Sequence, residues 1–157
     1  MQDMGASAEL KFNTEGFTYE SETGFIFWLG RRADTKGGRY RKVTHFGVQV
    51  YAHRLAWRLY YGEWPPSGMT IDHVNHNKHE NRIRNLRLAT QKQNNANKIV
   101  SKNSKSGELG VHWCSIHNRW RVAVCNTRLY TFYASHKISA ILASRLIRRV
   151  LHGEFAP

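Results

Sequence analysis

Between Thr70 and Lys98 the chain reads TIDHVNHNKHENRIRNLRLATQKQNNANK, a stretch that permits few folds. Met69-Thr70-Ile71 leads into Asp72-His73 as a strand end, because β-branched residues favour extended backbone and the polar run behind them has nothing to bury. Val74 to Glu80 is expected to be a polar loop. Alternation from Ile83 to Leu88 predicts a second extended piece, with Leu86 and Leu88 toward a small core and Asn85 pointing the other way. Thr90 and Gln93 form a capping-box pair, so a short helix is predicted from Gln91. Strand, loop, strand and helix are thus packed into fewer than thirty residues.

A unit of this size can hold one divalent cation between a strand end and a helix. Asp72 offers a hard anionic oxygen and Asn94 a neutral one, a donor pair that suits Mg²⁺ (or Mn²⁺) completed by water and a phosphate oxygen. Asn95 and Asn97 compete with Asn94 for that place on the helix. His73, next to Asp72 but on the other side of the strand, can take a proton from water at neutral pH. Asn85 is placed to hold the imidazole or the phosphate in orientation. A lone His before an Asn-rich run is usually a solvated loop, so the case rests on the combination. His76 and His79 are read as exposed loop residues, and Asn81 as closing a turn with its side chain.

The succession IDH, N-R-x-x-N-L-R and T-x-x-x-N resembles the HNH nucleases, in particular the phage and intron-encoded branch in which the last letter is Asn. The AHRLAW…GEWP…IDH lead-in resembles the same branch. The resemblance implies Asp72 and Asn94 as metal ligands, His73 as general base and Asn85 as the middle Asn. It also implies a ββα-metal (His-Me finger) unit and a homing-type DNA endonuclease, nicking at a directed site.

The chain has 157 residues and a formal net charge of +13, with Lys and Arg spread over its length. A polyanionic partner follows, and double-stranded DNA fits best. No segment approaches about twenty apolar residues and none reads as a signal peptide, so a membrane partner is not expected. Cys114 and Cys125 make no metal-ligand spacing with a His pair, which predicts reduced thiols, no structural zinc and a cytoplasmic protein, in the host cytoplasm if phage-encoded. No small-molecule cofactor is expected.

The predicted fold class is α+β. Residues 1–98 form a nuclease domain, with N-terminal strands and a helix over 9–68 and the metal-binding core over 69–98. Residues 1–8 are expected to fray. A short helix or turn is predicted over Leu10 to Phe17, a strand over Gly24 to Leu29, a breaker at Asp34 to Gly38 and a hairpin turning near His45. Arg31, Arg32, Arg39, Arg41 and Lys42 crowd this region and suit a solvated sheet face and phosphate contact about equally. His53 to Tyr61 is a predicted helix ended by Gly62, with His53 packing or capping at its start. The Ser-, Lys- and Asn-rich run 99–107 is read as a linker.

Over 108–157, three strands (Leu109 to Cys114, Arg119 to Cys125, Arg128 to Tyr133) and a helix from about His136 to His152 predict a three-stranded antiparallel sheet packed on one helix. Ile138, Ile141, Leu142, Ile147, Val150 and Leu151 are its expected apolar cover. The G-V-H-W, R-W-R-V-A-V, R-L-Y and LHGEFA segments resemble the Apetala or ethylene-response-factor type DNA-binding domain. Alternation and that likeness nominate His112, Arg121, Arg128 and Tyr130 as DNA-facing, with Arg119 on the phosphate rim. The alternative reading is a catalytically inactive DNA-binding or regulatory protein on the same scaffold. An RNA-binding role is weaker, because the sheet lacks stacked aromatic pairs for single strands.

Overall fold

A computed structural model describes residues 4–124 and 131–156. The chain divides into two compact units, Met1–Gln91 and Lys92–Pro157. The boundary therefore falls at the start of a short helix, and the stretch 99–107 belongs to the second unit. Ser106 is buried there, and its hydroxyl donates to the Glu108 carbonyl.

The first unit opens with helix α1 (Met4–Lys11), where fraying was expected. Two contacts hold it: Glu9 is buried and ion-paired with Arg54, and Phe12 enters the core just behind it. Strands β1 (Phe17–Glu20), β2 (Phe25–Trp28) and β3 (Arg31–Arg32) form one antiparallel sheet in that order. Strands β4 (Thr35–Gly37), β5 (Tyr40–His45) and β6 (Val48–Tyr51) form a second, with the β5–β6 turn at Phe46 and Gly47. The predicted breaker at Asp34 is instead an anchor. Its side chain is fully buried, and its carboxylate takes ion pairs from Arg32 at 3.1 Å and Arg41 at 3.0 Å. Buried charge persists only when it is paired, which removes these two arginines from the group available to phosphate.

Helix α2 (Ala52–Tyr61) ends where Gly62 takes a left-handed conformation at φ 82°, its N–H donating to the Arg58 carbonyl. It lays Ala52, Leu55, Ala56 and Trp57 against Ile26, Val43 and Val50. Burying a side chain such as Ile26 or Leu55 contributes about 1.5–3 kcal/mol, and both are fully buried. A turn at Pro66 delivers the chain into β7 (Met69–His73), which pairs antiparallel with β8 (Leu86–Thr90). The second extended piece thus begins at Leu86, and Ile83–Asn85 forms a 3-10 turn. Ile71 and Leu86 join the core of this unit.

The second unit begins within α3 (Gln91–Ala96), at Lys92, and carries an antiparallel sheet of β9 (Val111–Cys114), β10 (Arg119–Ala123) and β11 (Thr131–Ala134), in the order β11-β10-β9. Val111, Val122 and Val124 line its inner face against α4 (Lys137–His152). The helix meets the sheet through Ala140, Ser144 and Ile147, whereas Ile138, Leu142, Val150 and Leu151, expected as cover, are exposed. Close approach explains this. Ser144 donates to the Leu109 carbonyl at 2.8 Å, and a Cβ on Gly110 would stand 3.8 Å from the Ser144 hydroxyl, so the helix approaches the chain before β9 closely at a small residue. No helix among the described residues is long and apolar enough to cross a membrane.

Candidate active site

Strand β7 ends in two adjacent polar side chains that the fold takes out of water, Asp72 at 6% exposure and His73 at 4%. Antiparallel register sets their neighbours, with Asp72 directly opposite Arg87 and His73 opposite Leu86. Arg87 holds the carboxylate with two contacts to one oxygen: Nε donates to Asp72 Oδ2 at 3.0 Å and Nη2 lies 2.9 Å from the same atom.

His73 turns into a pocket of rings rather than outward. His53 stands edge-on at 5.2 Å between ring centroids and Tyr40 lies at 6.1 Å. Its Nε2 is 3.1 Å from Oδ1 of Asn81. With the amide oxygen as acceptor, Nε2 carries the proton and the lone pair sits on Nδ1. Burial lowers the His73 pKa, opposed by the Asn81 hydrogen bond and by the Asp72 charge, so the ring favours the neutral form a base requires. His53 is pushed down to about 3, chiefly by burial and then by the nearby His73 and Arg54. Its Nδ1 has no hydrogen-bond partner among the described residues.

Asn81 is the residue that sequence reasoning undervalued. It is 1% exposed, and its backbone is clamped from the first sheet. Tyr19 Oη donates to the Asn81 carbonyl at 2.7 Å, and Gly24, at φ +76°, lies so close that a Cβ there would be 2.6 Å from the Asn81 carbonyl carbon. Burial of the phenol raises the Tyr19 pKa, which keeps that donor protonated. The available signal was the pairing of a glycine-bearing turn with an Asn eight residues after the histidine, which becomes visible only in three dimensions.

Asn85, nominated to orient the imidazole or the phosphate, ties the loop instead. Its Oδ1 accepts from the Asn75 N–H at 2.9 Å and its Nδ2 donates to the Glu80 carbonyl at 2.8 Å. Arg41 holds the same loop from β5, donating to the His79 carbonyl at 3.0 Å. The loop between the strands is thus braced at three points, which fixes Asn81 behind the histidine. His76 is half-buried at φ 62°, and His79 is half-buried, where exposure was expected.

Beside Tyr40 opens a groove of about 470 Å³ lined in part by Arg39, Tyr40, Lys42 and Tyr51. Lys42 donates to Gln49, so the groove is basic and hydrogen-bonded at its wall.

Asn94, nominated as the second metal ligand, lies on α3 in the second unit and is half-buried; Asn95 is exposed and Asn97 buried. Among the described residues no three His, Cys, Asp or Glu side chains group as a metal cluster. The Asp72 carboxylate already accommodates a guanidinium, and a buried carboxylate oxygen is the hard donor type that an oxygen-seeking cation takes.

In the second unit, His112 and Arg121 are direct cross-strand partners, and Arg121 is in turn opposite Tyr133. With Arg119 these side chains occupy one exposed face of the sheet. Tyr133 packs edge-on against His117 at 4.6 Å and was not nominated. Arg128 and Tyr130, which were nominated, lie outside the described residues.

Comparison with known proteins gives three findings. A family model described as HNH endonuclease matches residues 50–96, which span α2, β7, the braced loop, β8 and α3. Protein 3.8 of Escherichia phage T7 is 33% identical over 92 residues, covering 58% of this chain and 76% of that protein. An uncharacterized HNH endonuclease of Acanthamoeba polyphaga mimivirus is 34% identical over 115 residues, covering 69% of this chain and 56% of that protein. No solved structure matches the chain significantly.

Proposed function

Since the chain belongs to the HNH endonuclease family and is a nuclease, we propose that it hydrolyses one phosphodiester of duplex DNA with His73 as the general base. The observation that carries this reading is the hydrogen bond from His73 Nε2 to Asn81 Oδ1, which gives a buried, neutral imidazole one orientation and leaves its basic lone pair on Nδ1. Asp72, and Asn94 by the family resemblance, are the proposed ligands of a divalent cation, Mg²⁺ or Mn²⁺. When bound, such a cation supplies Lewis-acid stabilisation of the charge that builds on the phosphate and the leaving 3′ oxygen. His73 takes the proton of the attacking water, Asn81 holds the ring, and Asn85 and Arg41 keep the loop that carries Asn81.

The reading extends to DNA binding. The exposed row of His112, Arg121 and Tyr133, with Arg119 beside it, suits duplex DNA in the manner of the Apetala-type sheet, and Arg39 and Lys42 offer cations to a phosphate backbone. The proposed ββα-metal unit has one active centre per chain, so the proposed product is a nick, made in the host cytoplasm by a homing-type enzyme.

Burial of His73 and neutralisation of Asp72 by Arg87 favour a second reading, an inactive DNA-binding scaffold. Supercoiled plasmid incubated with the purified chain separates the two. Relaxation to open circle with Mg²⁺ and none with EDTA supports the nuclease reading. Intact plasmid at saturating protein and Mg²⁺ or Mn²⁺ supports the scaffold.

A further inference from the structure

We propose that Arg87 is a built-in occupant of the cation site, so that a divalent metal enters by exchange with its guanidinium rather than by filling an open place. The inference rests on the reading of Asp72 as a metal ligand and adds to it the group that controls loading.

The hairpin register puts Arg87 directly across from Asp72, so the pairing is built into the backbone of β7 and β8. A guanidinium fork normally spreads over both oxygens of a carboxylate. Here Nε and Nη2 both reach Oδ2, at 3.0 and 2.9 Å. The side chains are 16% and 7% exposed, so salt screens this pair weakly. A buried carboxylate needs a positive partner, and a guanidinium and a divalent cation competing for the same oxygen repel each other strongly. Arg87 therefore stabilises the metal-free hairpin and opposes the metal. Once displaced, its charge is available to a phosphate oxygen, a partner the planar fork matches well.

Mn²⁺ binding to the full chain without DNA, followed by the loss of the free-ion paramagnetic resonance signal, tests this. Arg87→Met keeps the volume and removes the charge; it should tighten the Mn²⁺ dissociation constant about tenfold or more. Arg87→Lys keeps the charge and should stay within about threefold of the unsubstituted chain. Asp72→Asn should abolish binding at this site. Unchanged or weaker binding in Arg87→Met, with binding lost in Asp72→Asn, overturns the exchange while leaving the metal reading intact. Unaltered binding in Asp72→Asn overturns both.

Should Arg87→Met fail to fold by circular dichroism, the unsubstituted chain decides. Its Arg87 ¹⁵N Nε–Hε resonance, assigned by its absence in Arg87→Lys, should shift at saturating Mg²⁺. A resonance that stays in place while the amides of Asp72 and His73 move overturns the exchange.

Discussion

Replacing Asn81 by Leu isolates the orientation of the proposed base. Asn81 is 1% exposed, makes one side-chain hydrogen bond, to His73 at 3.1 Å, and leaves its Nδ2 without a partner among the described residues. The stability terms nearly offset. Losing the bond to the His73 ring costs about 1–3 kcal/mol, while removing a buried unpartnered amide returns a similar amount. The expected net change is within about 1–2 kcal/mol, a Tm shift of a few degrees to about ten. Catalysis has no such compensation. A positioned general base contributes roughly 10²- to 10⁴-fold, and an imidazole that has lost the bond fixing its tautomer should forfeit about 10- to 100-fold of that. Single-turnover conversion of supercoiled plasmid at saturating protein measures the rate, and a filter or mobility-shift titration in EDTA measures binding. A folded Asn81→Leu chain that binds normally and cuts at the unsubstituted rate would refute the role given to Asn81.

The ring pocket predicts an acid limb. His53 titrates at about 3 in the fold against an unfolded value near 6.5, so the unfolded chain takes the proton first. This contribution is full above about pH 6.5 and is lost by about 1.4 kcal/mol per pH unit down toward pH 3. Urea midpoints at pH 7 and pH 5 should therefore converge in His53→Phe relative to the unsubstituted chain, and parallel losses would contradict the assignment. Gly24→Ala forces a Cβ to 2.4 Å from the Arg82 nitrogen at a positive φ, so it should cost on the order of 1–3 kcal/mol and depress cleavage together with Asn81→Leu. A neutral thermal melt would count against the clamp. Arg121→Ala, on the exposed sheet face, should weaken duplex binding and, if the contact is to phosphate, flatten the log–log salt dependence by about one unit. Binding unaltered at every salt concentration would remove that face from the DNA interface.

Much of the frame was legible because its signals are local. β-branched residues before Asp72, the polar run behind His73, Gly62 after an apolar stripe and the Thr90–Gln93 pair at the start of a short helix each act over a few residues. The misreadings arise where distant parts of the chain meet. Ile83 to Asn85 fits a strand pattern, but the bonds from Asn85 to Asn75 and Glu80 close the loop and wind the segment into a 3-10 turn. Asn81 reads as a turn residue until the Tyr19 hydroxyl and Gly24, some sixty residues earlier in the chain, press on its backbone. Asp34 looks like part of a breaker until Arg32 and Arg41 converge on it. The inner face of α4 was assigned to its large residues, whereas the close sheet contact selects Ala140 and Ser144. Likewise, Arg87 becomes a partner for Asp72 only once the hairpin register is fixed.

The most direct test is cleavage and binding by His73→Ala, measured on the same supercoiled plasmid with Mg²⁺ present for cutting and EDTA for binding. The expected result is no detectable nick with an affinity close to that of the unsubstituted chain. Nicking at the unsubstituted rate by a folded His73→Ala chain, or binding lost in step with cleavage, would contradict the assignment of His73 as the base.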